Sequence, residues 1–225
     1  MTKYEILRMI FEENKDEERA LPMAHYMRDQ FVFYGISSTK RKELCLDFMK
    51  AQRKEEETDW NFITDCYNDP HRECQYQACD YLLARAKYLA KKDLPRIRKL
   101  VMTKSWWDTV DVLNKVCGQI FLKDNTISDT MTAWSLDENM WVRRCAIEFQ
   151  LLLKDKTDTH VLAEILENNL GSDESFINKA IGWALRDYSK TNPAWVSAFI
   201  ETHQEKMNNL SIREGSKYLK DQKRT

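Results

Sequence analysis

Residues 104–111, KSWWDTVD, set two tryptophans and two aspartates within about two helical turns. On a helix Trp107 and Asp111 stand four apart and share a face, so an indole and a carboxylate are presented together. That pairing suits a positive charge, which a fixed carboxylate neutralises and an aromatic face attracts. Trp106 points about 100° away from Trp107, toward a core. Ser105 and Asp108 have capping-box spacing, which gives them the helix start. Two later segments carry possible partners. WVRRCAI, 141–147, has Arg143 and Arg144 at a helix start, and KAIGWALRDY, 179–188, places Lys179 four before Trp183. Each group also has a plainer reading: the tryptophans as packing residues, Asp111 and the arginine pair as solvated helix groups.

The elements that must position these residues read as helices. Five Gly and four Pro in 225 residues leave little material for turns and sheets. Helical periodicity recurs over 2–13, 18–32, 39–53, 58–68, 71–90, 94–103, 106–122, 127–135, 139–154, 159–169, 174–190, 193–204 and 211–222. Asp69–Pro70 and Asn192–Pro193 read as N-cap and first helical residue, and Thr126 with Asp129 and Ser135 with Glu138 repeat the capping-box spacing. Trp106, Trp141 and Phe176 recur every 35 residues, each near a helix start, and Cys74 fits the same scheme 32 residues before Trp106. A repeat of two helices in about 35 residues lies in the range of helical solenoids. The expected fold class is all-α: an α-solenoid of HEAT-like helix pairs with a concave groove, in a single domain over 1–225. An irregular helical bundle is the alternative.

The net charge of −1 does not announce a polyanion partner, but charge is segregated. Residues 85–104 carry Asp93 as their one acid, 40–54 and 206–225 are rich in Lys and Arg, and acids gather at 12–18 and 55–59. Solvated helix faces would give the same pattern. The six Cys (45, 66, 74, 79, 117 and 145) form no CxxC pair and read as reduced, buried small hydrophobes. His25, His71, His160 and His203 are scattered, with no metal-ligand spacing, and no glycine loop for phosphate is present, so neither metal nor cofactor is expected. The first residues lack the apolar run of a signal peptide, and no stretch approaches the ~18 apolar residues of a membrane span.

SWWDTVD, WVRRCAI, FINKAIGWALRDYSKTNP and the N-terminal PMAHYMRDQFVFYGI resemble, in the same order and over nearly the whole chain, the AlkD-like family of bacterial DNA alkylation repair proteins, HEAT-like DNA glycosylases. The resemblance implies that DNA lies along the concave face and that cationic purines such as 7-alkylguanine and 3-alkyladenine are excised while the lesion stays exposed. It implies a catalytic cleft of Trp107, Asp111 and Trp183. Arg144 would hold a backbone phosphate near the lesion and Tyr26 would reach DNA nearby, with Arg143, Lys179 and Lys104 as further cations for the backbone. Cys145 stands where the family often has Ala. A monomer in the bacterial cytoplasm, at the nucleoid, with alkylated duplex DNA as partner and no membrane, completes the expectation. Two other readings use the same fold: a non-catalytic binder of DNA structures, and a protein-interaction solenoid.

Overall fold

A computed structural model describes residues 1–52, 55 and 57–219, and among them every regular element is helical, with one isolated bridge between Val32 and His71. Arg53, Lys54, Lys220, Lys223 and Arg224 of the basic stretches, Glu56, Asp221, and the ends of the helices expected over 39–53 and 211–222 lie outside the described residues. By packing, the chain falls into two compact units, Met1–Leu89 and Ala90–Thr225.

The first unit contains α1 (Lys3–Glu13), α2 (Glu17–Tyr26), α3 (Ser38–Leu44), α4 (Leu46–Gln52), α5 (Trp60–Asn68) and α6 (Arg72–Ala84), with α1 and α6 both packed on α5. The helix expected over 18–32 stops at Tyr26. Arg28 and Asp29 both turn into the left-handed region at φ +57°, and the apolar run that follows is not helical. Three of its amides go instead to one buried carboxylate, those of Tyr34, Gly35 and Ile36 donating to Glu73 at 3.0, 2.9 and 3.0 Å. Gly35, at φ +89°, lies against the backbone of Asp16, where any side chain would collide. The helix expected over 39–53 is interrupted at Cys45, which caps α3.

The second unit contains α7 (Leu94–Val101), α8 (Trp107–Phe121), α9 (Ser128–Trp134), α10 (Met140–Glu148), α11 (Thr159–Glu167), α12 (Ser175–Tyr188), α13 (Pro193–His203) and α14 (Asn209–Gly215). Alternate helices pack in series, α8 on α10, α10 on α12 and α12 on α14, while α9 and α11 pack on each other and on α10. The 35-residue period is visible in this packing. Trp106, Trp141 and Phe176 form one aromatic cluster with centroids 5.5, 5.2 and 5.0 Å apart, in tilted and edge-on geometry. Each such pair contributes about 0.5–1.5 kcal/mol beyond its buried area.

The caps follow the expected pattern only in part. Asn192 caps α13 and Pro193 is its first residue, as the sequence indicates. Ser105 does not cap α8. Its hydroxyl donates back to the Val101 carbonyl at 2.6 Å and closes α7, and the N-cap is Trp106. Asp108 accepts from the amide of Thr109 at 2.9 Å. Ser135 likewise donates back to Thr132, and Asn139 caps α10 through the amide of Trp141. Asp69 ends α5 and His71 precedes α6, while Asp124, not Thr126, accepts the capping bond ahead of α9.

Candidate active site

Three alternate helices of the second unit bring their polar groups to one point. α8 carries Asp111, α10 carries Arg144, and α12 carries Trp183 and the carbonyl of Phe176. The Arg144 guanidinium forks onto the carboxylate, Nε to Oδ1 and Nη2 to Oδ2, both at 3.0 Å. Its Nη1 donates to the Phe176 carbonyl at 2.8 Å. The guanidinium carbon lies 5.2 Å from the centroid of the Trp183 ring, and Arg186 approaches the same ring at 5.9 Å. Planar guanidinium and planar carboxylate fit bidentately, which fixes the orientation of Asp111 as well as its distance.

Exposure divides the labour between the two. The Arg144 side chain is 1% exposed, while that of Asp111 is 25% exposed. Arg144 was expected at a phosphate. In this structure its donors are engaged by Asp111, by Phe176 and by a second carboxylate, Glu148, whose Oε1 lies 2.9 Å from Nη2. The Arg144 side chain therefore lies inside the fold, with its donors turned toward Asp111, Phe176 and Glu148.

Glu148 is the group that the sequence reading missed. Its side chain is fully buried, and Asn114 of α8 donates to its Oε2 at 2.9 Å. A signal was available: Glu148 follows Arg144 by four residues, so the two share a helix face. Burial pushes the Asp111 carboxyl above its ordinary value, against the pull of the Arg144 charge. Burial pushes Glu148 further, well above the usual carboxylate range, and the nearby Asp111 charge adds to it.

The remaining expected residues are placed as follows. Trp107, half-buried, opens α8 one turn before Asp111, and Trp183 is half-buried beside Arg144. Lys179 lies one turn before Trp183 with its ammonium 5.5 Å from the Phe176 ring. Arg143 donates to the carbonyls of Asp137 and Glu138 at 2.8 and 3.1 Å, bracing the approach to α10. Lys104, half-buried, takes a left-handed conformation at φ +48° in the short link between α7 and α8. Tyr26 belongs to the first unit, at the last position of α2, and is 71% exposed.

Comparison with known proteins gives a consistent result. The family model described as DNA alkylation repair enzyme matches residues 7–219. Among solved structures, a predicted DNA alkylation repair enzyme from Enterococcus faecalis is similar, at 36% sequence identity and a TM-score of 0.83, over 91% of this chain and 96% of that one. No curated protein matches.

Proposed function

Because the chain belongs to the DNA alkylation repair enzyme family, we propose that it is a monofunctional DNA glycosylase hydrolysing the N-glycosidic bond of cationic alkylated purines, 7-alkylguanine and 3-alkyladenine, in duplex DNA. The observation that carries the proposal is the partly exposed Asp111 carboxylate, locked by Arg144, whose guanidinium stands over the ring of Trp183.

The chemistry asks little beyond such a group. An alkylated purine is already positively charged. When its glycosidic bond breaks, the bonding pair stays on the base, which leaves neutral, and the sugar becomes an oxocarbenium-like cation. Asp111 stabilises that cation electrostatically. Water then bonds to the anomeric carbon and passes a proton to the same carboxylate. Arg144 occupies one lone-pair direction on each Asp111 oxygen and leaves the others available, since a carboxylate offers about four. The Trp183 and Trp107 rings add cation–aromatic attraction of roughly 0.5–2 kcal/mol each. Arg144 acts in this scheme as a positioning residue. Tyr26, Arg143, Lys179 and Lys104 are proposed contacts to the DNA backbone.

The engagement of Asp111 by Arg144 also favours a second reading, in which the pair is purely structural and the protein binds DNA without cleaving it. The two are separated by incubating the purified protein with methylated duplex DNA. Release of 7-methylguanine, most of it lost in Asp111→Asn, is expected; tight binding with no free base overturns the glycosylase reading in favour of the second.

A further inference from the structure

A fully buried carboxyl at the end of an internal helix needs a reason. Glu148 shares the Nη2 of Arg144 with Asp111, at 2.9 Å from Glu148 Oε1 and 2.9 Å from Asp111 Oδ1. Two carboxylates and one guanidinium leave one negative charge uncompensated in a space that admits little water, a costly arrangement unless one carboxyl is protonated. Among the described residues, no second cation makes an ion pair with either carboxyl. Asn114 donates to Glu148 Oε2, the exposed Lys115 lies one turn beyond Asp111 on α8, and α12 supplies Trp183, with Arg186 on that ring. The thiols of Cys117 and Cys145, both buried, complete the neighbourhood.

We propose that Glu148 is a second positioning residue of the cleft, a neutral carboxyl whose O–H is directed at Asp111, so that the deeper group keeps the proton and the shallower one stays a carboxylate facing the cleft. The inference rests on the reading of Asp111 as the functional carboxylate. Depth decides which partner is neutral: Glu148 is fully buried, and Asp111 is a quarter exposed. Two carboxyls in contact titrate as a pair, and their environments separate the roles.

The test is Glu148→Gln, which keeps the shape and is permanently neutral. A carboxyl whose proton is held more tightly in the folded than in the unfolded chain stabilises fully below its unfolded value, and that contribution is lost as pH rises toward the folded value. The variant escapes that loss. Chemical unfolding from pH 5 to 8 is therefore expected to show Glu148→Gln gaining on the wild type, the ratio of unfolding constants changing by up to about tenfold per pH unit. The wild-type base-release profile is expected to fall on its alkaline side, as Glu148 ionises against Asp111, and the variant profile to stay level there. A variant that instead loses stability toward pH 8 means that Glu148 is an ionised partner of Arg144, and overturns the proposal. If the variant does not fold, carboxyl-carbon NMR of Glu-labelled wild type decides: one Glu titrating far above the ordinary range supports it, and none refutes it. If no base is released at all, the unfolding and NMR arms still judge Glu148, so the two readings fail separately.

Discussion

Replacing Arg144 by Met would leave Asp111 and Glu148 facing each other, and the Phe176 carbonyl without its donor. Removing one partner of a buried ion pair typically costs about 3–5 kcal/mol. Urea unfolding at pH 7 should show Arg144→Met destabilised on that order, with the deficit shrinking at acid pH, where Asp111 is protonated too and no buried charge is left without its partner. An equal deficit at both values would mean that lost packing, not charge, dominates. At this scale the sequence shows Trp107, Asp111, Arg144 and Trp183, because two helical spacings and the distinctive SWWD and KAIGW segments mark them. It does not show that Arg144 is turned inward. Burial depends on which helix lies across it, and a lone i, i+4 Arg–Glu pair looks the same whether it is solvated or enclosed.

Among elements, the contact of α12 with α14 depends on Gly182, next to Trp183. A Cβ at Gly182 would lie 2.6 Å from the Cβ of Glu214 and 3.2 Å from the backbone of Ser211. Gly182→Ala should push α14 away and strain the Arg186–Glu214 ion pair, which spans the same contact at 2.8 Å. Overpacking of this kind costs about 1–3 kcal/mol. A thermal melt checks it, and an unchanged midpoint would show that α14 shifts freely. The 35-residue register was legible because large aromatics at equivalent helix starts must meet when equivalent helices stack, as Trp106, Trp141 and Phe176 do. The caps were less legible. In a connection of a few residues, Ser105 and Ser135 are equally suited to ending one helix or starting the next, and both hydroxyls turn back. Over 31–36 the apolar pattern continues that of α2. The element that overrides it, Glu73, is distant in sequence.

For the whole molecule, a net charge of −1 coexists with basic stretches that could meet a DNA backbone. Binding to duplex DNA should weaken steeply with salt, the logarithmic slope falling by about 0.9 for each phosphate neutralised. A salt-independent affinity, measured by fluorescence anisotropy, would point to a protein-interaction role instead. The all-α class was legible from glycine and proline scarcity and unbroken helical periodicity. The two compact units were not, because the stretch between α6 and α7 carries no glycine or run of small polar residues to mark a boundary. The central claim is that Asp111 serves the chemistry as well as the fold. Single-turnover release of 7-methylguanine from methylated duplex, with enzyme in excess and DNA affinity measured alongside, compares wild type with Asp111→Asn. The account predicts a rate lower by about 10²–10⁴ at nearly unchanged affinity; equal rates in the two proteins would contradict it.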